Sequence, residues 1–338
     1  PDAGTPAPPR ARRERVTEQI HGVAVRDPYR WLEAGDDAEV KRWAAAQDAH
    51  ARAYLSSLPG REILRERLKQ LHYLDRTGAP IRRGKRYFFS RQHATKEKVV
   101  WYWRQGPGGK PRVLIDPNTL SKDGSVSLRG LSISWDGKTV AYKLSRNAAD
   151  TATLYVMDVA SGKVSGRDTI KGARYAHASW TPRGEGFYYT RLPVDDEIPA
   201  SEMPGHAAVY FHRLGTDPTK DRLIHPPTGD PRTFIFPDLS RDGRLLFLYI
   251  MHGWSRTDVY YRRLRRGRPA PGKFRPFVVG KPARYSVVAE AGKVFVRTNE
   301  GAPRYRLFRV DPRRMERRRW KEIVAQDREA VLTGFDVV

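Results

Sequence analysis

A serine attacks a carbonyl only when a base takes its proton and the backbone presents Oγ. One common solution is a G-x-S-x-G elbow on a strand-to-helix turn. The nearest approach here is Gly253-Trp-Ser-Arg-Thr257, with Thr in the last position and no helical pattern after it. Ser255 is therefore not read as a nucleophile, and no catalytic residue is assigned. The nine histidines form no H-E-x-x-H helix and the chain has no cysteine. No metal site and no cofactor is assigned, and thiolate and disulfide chemistry are excluded. Gly106-Pro-Gly-Gly109 lacks the Lys-Ser/Thr of a phosphate loop and reads as a turn. Asp195-Asp-Glu197 could hold a cation or meet a basic partner, but such a run reads more simply as a solvated loop.

The chain has 338 residues and a net charge of +25. Arginines cluster at Arg262–Arg268 and Arg313–Arg319. Such a balance invites a polyanion. The clusters fall at strand ends, however, with no recognition helix or RNA-binding motif beside them. They read as decoration of turns, and no nucleic-acid partner is expected. No apolar run approaches the ~18 residues of a membrane span.

The elements that would position a site are mainly β. Trp135-Asp-Gly-Lys-Thr-Val-Ala-Tyr142 reads as a turn entering a strand, and Ala152–Asp158 as the returning strand. Glycine at Gly137 takes the positive φ that such a turn needs. The same unit recurs around Gly84, Gly184, Gly243 and Gly292, at intervals of 47 to 59 residues. Several strands in a period of about 40–50 residues mark a β-propeller. An irregular β-sandwich is the alternative.

Before the blades, Pro1–Arg13 is a Pro/Ala-rich tether. Val23 and Val25 alternate as in a short strand. Asp36 is placed to cap a helix with Glu39 completing a capping box. Val40, Trp43, Tyr54 and Leu55 follow helical spacing up to Pro59-Gly60. A second helix over Arg61–Leu71 aligns Leu64, Leu68 and Leu71. These faces need a docking surface that nothing local supplies. At the other end, Trp320–Val324 and Ala330–Gly334 read as the opening of another blade, so the chain is expected to stop in mid-domain.

Several stretches resemble the prolyl oligopeptidases. His21–Glu33 is similar to that family's N-terminal signature, and Trp43, Gln47, Asp48 and Pro59-Gly60-Arg61 fit the helical stretch after it in that family. Similar too are Trp101-Tyr-Trp-Arg104, Leu114–Asn118, Val126–Leu128, Ser134–Gly137, Trp180-Thr-Pro182, Gly186–Tyr189 and His212–Asp217. The likeness runs from about Glu14 to the end. It implies a seven-bladed propeller capping an α/β-hydrolase peptidase domain, with about five blades in this chain. Residues 1–13 are then a tether, 14–75 a segment packing on the absent hydrolase domain, and 76–338 incomplete propeller.

The implied function is the N-terminal part of a serine endopeptidase that hydrolyses short peptides after proline. This portion would gate access and wall the cavity, and alone it is expected to be inactive. By the same resemblance, Tyr175, Phe234 and Trp254 fall at positions lining the substrate cavity; the plainer reading of all three is blade-core aromatics. The expected partners are proline-containing peptides and the hydrolase domain of the same protein. Localisation is left open, the tether favouring the periplasm over the cytoplasm. The alternative function is a free-standing propeller that binds a peptide or polyanion.

Overall fold

A computed structural model describes residues 7–194, 197–270 and 272–337. The acidic triplet therefore lies outside the described residues at Asp195 and Asp196, as does the start of the tether, residues 1–6. Contacts divide the chain into two units, Pro1–Leu74 and Asp75–Val338.

In the first unit, Thr17–Ile20 and Val23–Arg26 form a hairpin. Helix α1, Ala38–Ser57, is capped by Asp37, whose carboxylate accepts from the amides of Glu39 and Val40. The cap is thus one residue later than Asp36, because the side chain must reach the free amides of the first turn. Gly60, at φ +79°, reverses the chain into helix α2, Arg61–His72. Trp31 and Trp43 meet edge to face at 6.1 Å. The Trp31 indole N–H donates to the Arg12 carbonyl at 3.0 Å, and the Gln47 amide donates to the Pro9 carbonyl at 2.6 Å. The apolar stripe of α2 is exposed among the described residues: Ile63 is 79% exposed, Leu64 61% and Leu68 55%.

The second unit is a β-propeller of five blades, each an antiparallel sheet. Blade 1 contains Arg76–Thr77, Ile81–Arg83, Arg86–Gln92, Val100–Gln105 and Arg112–Ile115. Blade 2 has Val126–Ile133, Thr139–Arg146 and Thr153–Asp158, with isolated bridges at Val164 and Ile170 in place of an outer strand. Blade 3 has Ser179–Trp180, Gly186–Arg191, Ala208–Arg213 and Arg222–His225. Blade 4 has Thr233–Leu239, Leu245–His252, Arg256–Arg263 and Arg275–Val278. Blade 5 has Tyr285–Glu290, Lys293–Thr298, Arg306–Val310 and Lys321–Val324.

Lys321–Val324 corrects one expectation. It pairs with Arg306–Val310 as the outer strand of blade 5 and does not open a new blade. The Trp320 ring explains this, since it meets Phe308 of the same blade edge to face and stacks on Phe277 of blade 4, holding the strand at the edge of blade 5.

The five periodic glycines all sit in a hairpin turn, Gly84 between Ile81–Arg83 and Arg86–Gln92 and the other four between the first and second strands of their blades, with φ between +55° and +70°. At three of them the missing Cβ is also a packing requirement, Gly243 lying where a Cβ would come within 2.6 Å of the Gly267 amide nitrogen. A Cβ on Gly84 would lie 2.4 Å from the Asp136 carbonyl oxygen, and one on Gly137 would lie 2.5 Å from that of Arg83. The turns of blades 1 and 2 thus clasp each other.

The apolar core lies between blades. Phe88 and Trp103 of blade 1 meet Ile133 and Val140 of blade 2. Phe187 and Tyr189 face blade 2, while Tyr188, between them, faces Ile235 and Leu246 of blade 4. Alternation with period two puts successive side chains on opposite faces, so a central blade must be apolar at every position. Polar links join the first strands: the Ser132 hydroxyl donates to the Ala178 carbonyl at 2.6 Å, and the Leu239 amide to Ser179 Oγ at 2.7 Å.

Candidate substrate-facing site

Tyr175 lies in the loop that enters blade 3, Phe234 in the first strand of blade 4, and Trp254 at the tip of the next hairpin. Phe234 pairs with Met251, three residues before Trp254, and the loop at Tyr175 leads into Ser179–Trp180. All three therefore occupy the end of the propeller from which first strands start. Tyr175 and Phe234 meet edge to face at 5.4 Å between centroids, the geometry that matches the positive ring edge to the negative face. Both are half-buried. Arg174 lies over the Tyr175 ring at 5.1 Å. Burial, which disfavours the phenolate, raises the Tyr175 pKa, so the ring presents a neutral hydroxyl.

Trp254 differs from the other two. It is 82% exposed at the hairpin tip and contributes to no blade core. A large aromatic left in water on a tight turn is a surface feature that folding does not require.

Ser255 sits on that same tip, between Leu245–His252 and Arg256–Arg263, in a hairpin and not a strand-to-helix turn. His252 Nε2 is 2.9 Å from Asp258 and no hydrogen bond joins it to Ser255 among the described residues. Asp258 also accepts from the Gly280 amide at 2.8 Å, so this carboxylate ties the hairpin to the following loop. Among the described residues no group of three or more histidines and carboxylates is placed to hold a metal ion, and no helix is long and apolar enough to cross a membrane.

Two arginines of the clusters pack on aromatic rings of the blades. Arg262 lies over Phe274 at 4.2 Å, and Arg317 lies over Phe308 and Trp320 at 4.6 and 4.7 Å while pairing with Glu300 at 3.0 Å.

One polar constellation escapes sequence reasoning. His212 is fully buried, with Nε2 2.8 Å from Asp168 and Nδ1 2.8 Å from Asp221. The Tyr189 hydroxyl donates to the other Asp221 oxygen at 2.6 Å, and the Gly215 amide donates to Asp168 at 2.6 Å. Burial pulls the imidazole's pKa down. The hydrogen bonds and charges of Asp221, then of Asp168, outweigh it and leave that pKa above the usual histidine value. The three residues span 54 positions of sequence, so no local motif announces them. Their role is to fasten the end of blade 2 to blade 3.

Residues 8–338 match the family described as the prolyl oligopeptidase N-terminal beta-propeller domain. The prolyl endopeptidase of Elizabethkingia meningoseptica is 28% identical over 324 residues, covering 95% of this chain and 45% of the relative. Prolyl oligopeptidase A of Galerina marginata is 31% identical over 323 residues, covering 86% of this chain and 43% of the relative. A solved structure from a mechanistic study of two prolyl endopeptidases superposes with a TM-score of 0.91 at 49% identity, covering 98% of this chain and 48% of that one. The chain spans about half the length of the curated relatives it matches.

Proposed function

This chain belongs to the prolyl oligopeptidase family, and on that premise we propose that it is the propeller portion of a serine endopeptidase that cleaves short peptides after proline. In this reading the chain supplies no catalytic group. A hydrolase domain of the same protein carries the serine that attacks, the histidine that relays its proton, and the donors that hold the oxyanion. The propeller restricts access and walls the cavity with Tyr175, Phe234 and Trp254. A proline-containing peptide is rigid and poor in donors, so flat apolar walls suit it.

The observation that supports this reading best is the placement of the three aromatics. They share one end of the propeller, with Tyr175 and Phe234 packed together and Trp254 projecting. Exposure of Trp254 favours a contact role over a core role. The uncovered stripe of Ile63, Leu64 and Leu68 favours a further apolar surface of the same protein, and it is the feature a free-standing peptide- or polyanion-binding propeller leaves unexplained.

The test is Trp254→Ala in the full-length protein. Losing a stacking wall removes on the order of 0.5–1.5 kcal/mol beyond area burial. KM for a proline peptide is expected to rise several-fold. kcat should change less, because a wall contacts ground and transition states alike. Melting temperature should stay nearly constant, as for most exposed positions. An unchanged KM removes Trp254 from the site.

A further inference from the structure

Next to Tyr175 lies a cleft of about 410 Å³ lined by Leu128, Arg129, Lys143, Asp150, Arg174 and Tyr175. Its three cations come from three segments, each held by a separate backbone device. Arg129 is the extra residue of a β-bulge: Leu128 pairs with Leu144 and Gly130 with Lys143, leaving Arg129 unpaired. A bulge of this kind re-aims one side chain out of the alternating pattern. Lys143 lies across from Gly130, where a Cβ would come within 3.4 Å of the lysine Cε, so the glycine leaves room for its stem. Its ammonium donates to the Arg174 carbonyl at 3.0 Å. Arg174 is brought in by the loop that also carries Tyr175.

One carboxylate answers these three charges. Asp150 is 2.6 Å from Arg174 and 3.9 Å from Arg129. It is the single acidic residue among the described lining residues, so the cleft keeps an excess of two positive charges. Burial, and then repulsion from Arg129, lowers the Lys143 pKa. The cleft continues through Ala152 and Arg174 into a larger cavity of about 830 Å³, where Arg146 and Lys171 add two more cations to an apolar wall of Leu144, Tyr155 and Leu192.

We propose that Arg129, Lys143 and Arg174 form a carboxylate-binding subsite that makes this protein favour proline peptides carrying an acidic group beyond the segment seated on Tyr175. The proposal rests on the peptidase reading for the position of the peptide. It adds a specificity that the aromatic walls cannot provide. Guanidinium and ammonium donors form charge-assisted bonds with a carboxylate, and partial enclosure protects these from screening.

The experiment is fluorescence anisotropy on the 338-residue chain. Labelled peptides share one proline-containing core and differ in charge: a Glu side chain with an amidated end, a Gln with a free C-terminal carboxylate, and a Gln with an amidated end. The acidic peptides are expected to bind about five- to tenfold more tightly than the neutral one. Arg129→Gln with Lys143→Gln should bring them down to the neutral affinity. If that variant folds poorly, raising the salt concentration on the native chain must erase the difference. Comparing the two acidic peptides tells a side-chain carboxylate from a terminal one, and preference for either supports the subsite. Equal affinity of acidic and neutral peptides, or no binding by any of them, overturns it. A core with alanine in place of proline separates the two readings. Acid preference without proline preference keeps the subsite and counts against the peptidase reading; proline preference without acid preference does the reverse.

Discussion

His212 shows how one residue can hold two blades together. Its ring is closed off from water and pinned by Asp168 on one side and Asp221 on the other. Removing one partner of a buried ion pair leaves the rest uncompensated and costs about 3–5 kcal/mol. His212→Leu is therefore expected to lower stability by that order, read from urea unfolding. The pH dependence has a definite sign. The folded-state pKa lies above the ordinary value of about 6.5, so the folded state binds more protons. Stability from this group is complete below the unfolded pKa and is lost as pH rises through the folded one. The difference in stability between native chain and variant should shrink from pH 6 to 9. A constant difference would mean that folding leaves the His212 pKa unshifted, against the ion-paired reading. Sequence alone could not reach this residue, because proximity of Asp168, His212 and Asp221 exists only after blades 2 and 3 have docked. Tyr175, Phe234 and Trp254 were reachable only by resemblance. Their spacing has no period, and only the fold places Tyr175 on Phe234.

Turns and helices were more legible. The glycine period located one hairpin turn in each blade because positive φ is a local demand that few other residues meet. It could not reveal the reciprocal clasp of Gly84 and Gly137, which depends on two turns meeting. Gly137→Ala forces a side chain to φ +70° and against the Arg83 carbonyl. The backbone conformation alone costs about 1–2 kcal/mol. The same change at Gly292, where nothing lies within 4 Å, should cost less. Equal losses in thermal melts of the two variants would argue against the clasp. Outer strands were the least legible elements. Lys321–Val324 reads as well for a new blade as for the edge of an old one, and the choice is made by Trp320 packing on Phe277 and Phe308. Helix α2 was recognised from its leucine period, which reports a face but not what covers it. Exposed apolar faces bind hydrophobic dyes. Replacing Leu64 and Leu68 with serine should reduce dye binding by this chain with little change in melting temperature. An unchanged dye signal would place the sticky surface elsewhere.

At the scale of the molecule, a propeller is a set of sheets whose cores lie between them, and it offers loops at two ends for function. Here the strand-starting end carries the aromatics and the basic cleft, while blade packing occupies the rest. In the function proposed above, this propeller restricts and shapes a cavity whose chemistry belongs to another domain. The most direct measurement treats both this chain and the full-length protein with a serine-directed fluorophosphonate, then maps the cleavage sites of a proline-containing peptide. The full-length protein should take up one label per chain and cut after proline, whereas the 338-residue chain should take up none and cut nothing. Stoichiometric labelling of the 338-residue chain, at Ser255 or elsewhere, or a full-length protein that does not cut after proline, would contradict this division of labour.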